Sequence, residues 1–316
     1  MDGNLTPEDD SLHPPVVADP YWSETHWFSF DQPGPNLSTT IYPVFRKNFE
    51  IAYLAVYLWD ESAHEPWLAR YGKAYWHLPY PEMDVTQLRL GDLEYDCVEP
   101  LKTWDVRYRD GEQVEMQLRF EGLREPHLAR KTAQGGHFDQ PCRVTGEVTL
   151  DGERIEIDTL GIRDKSWGVR PDARVGAPAP DGRTGATYAY GTRSADDQFL
   201  VVPTSYGNVG RAGEGSGYLV RGGSKAPIAK AERRVLKREN GHPVELALDL
   251  EDVSGRTLHL LGTCRNRLAN QALPTTFAWL SMTEWRTADG ETFLGEDQEV
   301  FGPYASGPRM SALNIG

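Results

Sequence analysis

The segment Trp104-Asp-Val-Arg-Tyr-Arg-Asp110-Gly111-Glu-Gln-Val-Glu-Met-Gln-Leu-Arg-Phe120 alternates apolar and polar residues on both sides of an Asp-Gly pair. Trp104, Val106 and Tyr108 fall on one face before the turn, and Val114, Met116, Leu118 and Phe120 on one face after it. Period two is the side-chain repeat of a half-buried strand, and Asp-Gly supplies residues that tolerate positive φ, so the segment predicts a β-hairpin. The same signal recurs at Asp151-Gly152, Asn240-Gly241 and Asp289-Gly290. Helical periodicity is scarce. Lys225 to Glu239 reads as strand because Pro227 and the Asn240 hairpin oppose a helix. The chain is predicted to be all-β.

Outward from these hairpins, Phe49 to Trp59 alternates aromatic with aliphatic residues, which predicts a strand buried on both faces or lying between a core and an occupied cavity. Val106–Leu118 resembles Val235–Leu248, and each is followed by a further Asp-Gly hairpin, which suggests two β units in tandem. Arg170 to Gly185, rich in Pro, Gly, Ala and Asp, predicts a linker or long loop between them. Residues 1–40 predict an irregular arm pinned by Trp22, Trp27, Phe28 and Phe30. The expected division is therefore an arm (1–40), a first β domain (41–185) and a second (186–316).

Composition narrows the function. The chain has 316 residues and a formal charge of −14, which repels phosphate backbones and anionic lipid, so nucleic-acid and membrane-surface partners are disfavoured. No apolar run approaches the ~20 residues of a membrane helix. The acidic first ten residues lead into no apolar stretch, so no signal peptide is expected. Three widely spaced cysteines, Cys97, Cys142 and Cys264, form neither a CxxC pair nor a disulfide framework, and a reduced, cytoplasmic setting is the simplest expectation. Nine Trp and fourteen Tyr among many turn residues suit strands around aromatic-lined space.

Motifs for metal and cofactor chemistry fail. There is no HExxH, no GxSxG elbow, no GxGxxG after a strand and no phosphate-binding loop, so no metal and no cofactor are expected. What stands out is Gly161-Ile-Arg-Asp164-Lys-Ser-Trp167-Gly168-Val-Arg170 after an apolar strand, with Gly136-His137-Phe-Asp-Gln-Pro141 upstream. A strand ending G-x-R-D-x-S-W-G-x-R, preceded by H-[FY]-x-Q-P, resembles the hydroxyneurosporene synthase/AttH superfamily, which includes carotenoid 1,2-hydratases. Fungal Diels–Alderase-like cyclases are similar in architecture. The resemblance covers roughly residues 40–305, with Gly217–Arg221 and Gly295-Glu296-x-x-Glu299 in the second half. It implies two tandem lipocalin-like β-barrels, a ligand cavity and no cofactor. Carotenoid hydratases usually carry Asp-His-Asn-[WY]-Gly in this turn; here Asp164 and Trp167 are kept and the histidine is lost.

A hydratase or cyclase needs a proton donor, a dry pocket and aromatic faces that stabilise cationic charge. Asp164, His137 and Glu284 are the candidate acid–base groups. Trp167, Tyr188, Tyr190, Tyr206, Trp279 and Trp104 are the candidate substrate-binding aromatics. Asp164 has a competing structural reading, since Arg163, Lys165 and Arg170 could make it a salt-bridged clamp. The functional expectation is a cofactor-independent lyase or isomerase (hydratase, dehydratase or cyclase type) acting by acid–base catalysis on a hydrophobic terpenoid or polycyclic substrate in a barrel or inter-domain cavity. The alternatives are a C–C/C–O lyase on a phenylpropanoid-like substrate and a non-catalytic carrier. The expected partner is a hydrophobic small molecule, with the protein a monomer or homodimer.

Overall fold

A computed structural model describes residues 4–63, 65–169, 185–206, 208–273 and 276–301. The chain forms two compact units, Met1–Leu58 with Arg70–Pro171, and Trp59–Ala69 with Asp172–Gly316. The expected linker 170–184 lies outside the described residues. No helix among the described residues is long and apolar enough to cross a membrane.

In the first unit the strands are β1 (Trp22–Gln32), β2 (Leu37–Arg46), β3 (Ile51–Trp59), β4 (Tyr71–Pro79), β5 (Arg89–Leu90) and β6 (Leu93–Glu99). They continue with β7 (Thr103–Asp110), β8 (Val114–Gly122), β9 (His127–Thr132), β10 (Gly135–Leu150) and β11 (Glu153–Val169). Their order across one antiparallel sheet is β4-β3-β2-β1-β11-β10-β8-β7-β6-β5, with β9 on β10. Side chains span the ends of this sheet: Tyr71 Oη donates to Asp110 at 2.8 Å and Tyr75 Oη to Asp92 at 2.8 Å. The alternation read from Trp104–Phe120 is what fills the barrel, for Trp104, Val106, Met116 and Phe120 are all fully buried in its core.

The second unit contains β12 (Gly185–Ser194), β13 (Asp197–Val201), β14 (Thr204–Tyr206), β15 (Val209–Ala212), β16 (Gly217–Arg221) and β17 (Ser224–Glu239). It ends with β18 (His242–Asp252), β19 (Thr257–Cys264), β20 (Leu268–Leu273), β21 (Thr276–Arg286) and β22 (Thr292–Phe301). Because β17 pairs with both β15 and β18, the path β17-β15-β14-β12-β22-β21-β19-β18 closes on itself as a barrel. Its core is built on Phe199, Leu246, Leu248, Trp285 and Phe293. The architecture is all-β, with two tandem lipocalin-like barrels.

All four hairpins form where expected, with one refinement. Asp151 and Gly152 (φ 50° and 80°), like Asn240 and Gly241 (48° and 82°), both take positive φ. At Asp110-Gly111 and Asp289-Gly290 only the glycine does, because longer loops join those strands. The internal repeat is also shifted by one hairpin. The sheets run β1-β11-β10-β8-β7 and β12-β22-β21-β19-β18, so the Asp110 turn corresponds in order to the turn at Gly255, not to Asn240.

The N-terminal arm requires correction. Residues 22–32 are not irregular: β1 lies between β2 and β11 near the middle of the first sheet. The sequence disguises it, since Glu24 and His26 face the barrel interior with Phe28 and Phe30, and Pro14, Pro15, Pro20, Pro33 and Pro35 crowd its ends. An alternation of apolar with polar residues fails to mark a strand whose buried face itself carries polar side chains.

Candidate active site

β11 pairs with β1 on one side and β10 on the other, so its alternating residues are presented to two different environments. Arg163, Lys165 and Trp167 point into the first barrel. Arg163 donates to Asp10 at 2.8 Å and to Gln140 Oε1 at 2.7 Å, and all three residues are buried. Lys165 Nζ donates to Glu24 and to the Ser11 carbonyl. His13 bonds Glu24 at 2.9 Å and stacks on Trp167 with ring centroids 4.2 Å apart. Burial pushes the Glu24 carboxyl up, but Lys165 and His13 beside it hold it below its ordinary range. The 3-10 turn Pro7–Asp10 and the residues after it are thus fastened to this end of the barrel. The cations flanking Asp164 in sequence belong to this interior network, built with Asp10 and Glu24.

Asp164 and Ser166 lie on the opposite, outer face of the sheet. Residues in register across neighbouring strands stand about 4.5–5.5 Å apart at Cβ. One such row is Trp27–Asp164–Asp139 and the next is Thr25–Ser166–His137. His137 Nε2 stands 3.1 Å from Asp139 Oδ1, within ion-pair distance, and Nδ1 shares a hydrogen bond of 2.7 Å with Ser166 Oγ. Asp139 and Ser166 are buried, whereas a quarter of the His137 side chain is exposed. The arrangement holds an imidazole between a hydroxyl and a carboxylate, with a second carboxyl on the adjacent strand. It can move protons. Two of the three acid–base candidates, His137 and Asp164, come together here; Asp139, which is not among those three, joins them. Its signal was the i, i+2 spacing from His137, which puts both on one face of a strand.

The other candidates are distributed elsewhere. Glu284 lies on β21 opposite the Trp285 face and pairs with Arg286. Tyr188 and Tyr190 meet with centroids 6.0 Å apart, and Tyr190 Oη donates to the buried Glu296 at 3.0 Å. Gln298 Nε2 holds the other oxygen of Glu296 at 2.6 Å. Trp279 packs on His242, centroid to centroid 4.5 Å. Trp104 is fully buried beside His26, Phe28 and Tyr95 in the first barrel, and Trp167 is capped by His13. Tyr206 ends β14 in register with Val209; its side chain lies outside the described residues. A cavity of about 300 Å³ in the second unit is lined by Lys237, Glu239, Glu245, Cys264, Arg265 and Arg267 among others, and by none of these candidates. Burial pushes each cysteine thiol up to about 12, so none is a thiolate nucleophile at neutral pH. Among the described residues, no group of three or more His, Cys, Asp or Glu could hold a metal ion.

This two-barrel fold is shared with solved structures. An AttH-designated protein from Nitrosomonas europaea has a TM-score of 0.59 at 12% identity, covering 90% of this chain and 92% of its own. CghA follows at 0.58, with 11% identity over 90% and 88% of the two chains. Kievitone hydratase from Nectria haematococca gives 0.56, with 12% identity over 88% of each. At this identity the likeness establishes the fold alone, the two-barrel fold that these proteins share. No curated protein matches the sequence. The chain belongs to the family described as "Domain of unknown function (DUF7064)", which it matches over residues 6–296.

Proposed function

We propose that this protein is a cofactor-independent lyase or isomerase of hydratase, dehydratase or cyclase type. It works by acid–base catalysis on a hydrophobic terpenoid or polycyclic substrate. One observation carries the reading: His137, hydrogen-bonded to Ser166 and 3.1 Å from the buried Asp139, sits beside Asp164 on a sheet face that also bears Trp27 and Tyr42. Fold relatives that include a hydratase support the reaction class. In this scheme Asp164 gives a proton to an alkene carbon, and His137, with the Asp139 carboxylate beside it, takes one from the attacking water or hydroxyl. The aromatic rings lower the energy of cationic charge formed in between. A pure carrier has no use for an imidazole and two carboxyls on its binding face.

Native mass spectrometry after mild extraction identifies the co-purifying lipophile, and that compound and its analogues are then assayed for turnover. Asp164→Asn and His137→Gln should each lower kcat at least 100-fold while the melting temperature stays within about 2 °C. Full turnover in both variants would sink the proposal.

A further inference from the structure

The outer face of the first sheet carries more than the proton-transfer groups. Trp27 sits in register with Asp164 and packs edge-on against Tyr42, ring centroids 5.0 Å apart. Tyr53 lies on the same face, since its neighbours Ala52 and Leu54 are in the barrel core. Its ring meets Trp76 at 4.7 Å, and its hydroxyl is near enough to those of Tyr42 and Tyr57 to sense them electrostatically. Trp27 is 8% exposed and Tyr53 5%, yet neither the indole Nε1–H nor the phenol Oη has a hydrogen-bond partner among the described residues.

Buried donors are satisfied in more than nine cases of ten, because an unmade bond forfeits the hydration the group had in the unfolded chain. Here the Trp27 indole and the Tyr53 phenol both stand without a partner among the described residues on one face, set among aromatic rings, with Trp27 in register with Asp164. The indole nitrogen can only donate. The phenol is neutral at physiological pH, burial pushing it further from ionisation, so it too has a proton to give. Both ask for acceptors. A hydrocarbon laid on this face would leave them unsatisfied, whereas an oxygen-bearing ring system would satisfy them while its flat surface packs on Tyr42, Tyr57 and Trp76.

We propose that this face binds a planar, ring-containing substrate through its oxygen atoms, with Trp27 Nε1–H and Tyr53 Oη–H as the donors that select an oxygenated molecule over a hydrocarbon. The inference rests on the functional reading above and narrows it: the substrate is a polycyclic ketone, ether or alcohol, not a bare polyene. A site built to bond a substrate oxygen discriminates strongly against the analogue lacking it, because its own polar groups are then left unpaired.

Titration with 9-fluorenone and fluorene, which share one tricycle and differ by a carbonyl, tests the point without turnover. Quenching of tryptophan fluorescence should show fluorenone binding at least tenfold tighter. Tyr53→Phe and Trp27→Phe keep a ring and delete the donor. Each should weaken fluorenone binding about tenfold and leave fluorene within twofold. Equal affinity for the two tricycles, no binding of either at their solubility limit, or unchanged preference in Tyr53→Phe overturns the inference. If Trp27→Phe does not fold, Tyr53→Phe decides alone. A protein that prefers fluorenone but keeps full turnover as Asp164→Asn refutes the catalytic assignment and leaves the binding assignment standing.

Discussion

Arg163 and Asp10 are both buried, their side chains 1% and 0% exposed, and bonded at 2.8 Å across 153 positions of sequence. The second barrel repeats the device with Arg233, which donates to Asp297 at 2.6 Å and to Glu299 at 2.9 Å. Such pairs give little net stability when intact, since desolvation offsets attraction, but breaking one strands a charge. Asp10→Asn is therefore expected to cost about 3–5 kcal/mol, measured by urea unfolding. A loss below about 1 kcal/mol would show that the N-terminal turn is only loosely held. At this scale the sequence showed the acids and bases without their pairing. In sequence Asp164 stands between two cations, yet Arg163 and Lys165 face the barrel interior and pair with Asp10 and Glu24, because a strand sends successive side chains to opposite sides.

Among elements, the β1–β11 pair matters most, since it carries both the interior ion pairs and the outer row of Trp27 and Asp164. Gly161 permits its close approach: an added Cβ would lie 2.4 Å from the Ser29 carbonyl oxygen and 2.8 Å from Val144 Cγ2. Gly161→Ala must push the strands apart and should destabilise the protein by about 1–3 kcal/mol. Gly34→Ala, where nothing lies within 4 Å, serves as the neutral control. Equal melting temperatures for the two variants would contradict this account. Hairpins were legible because their cause is local, a turn glycine with positive φ between alternating runs. β1 was not, because its partners β2 and β11 come from places as far apart in sequence as residues 37 and 169, and its buried polar residues make sense only against them.

For the whole molecule, two buried histidines set the response to acid. Burial, reinforced by Lys165 and Arg163, holds His26 well below the usual imidazole range, and burial pushes His242 down to about 3. In the unfolded chain both titrate near 6.5. Below that pH the unfolded state takes up protons that the folded state refuses, so stability is full above pH 6.5 and falls as pH drops. The expected slope is about 1.4 kcal/mol per pH unit for each histidine. Urea midpoints at pH 7.5 and 5.5 should reveal the loss, and His242→Gln should roughly halve it. A flat profile over that interval would mean that the two rings are accessible to protons in the native state.

The sequence by itself determined the all-β class, the four hairpin turns, the tandem arrangement and the segment containing Asp164, since alternation and turn chemistry act over a few residues and survive without knowledge of the partner strands. Only the tertiary structure decided which face each residue serves. Cross-strand register set Asp139 against Asp164 and His137 against Ser166, turned Trp104 and Trp167 toward packed barrel interior, and drew Trp27 out of a supposed arm onto the outer face. Register is a property of pairs of strands. No single stretch of chain contains it.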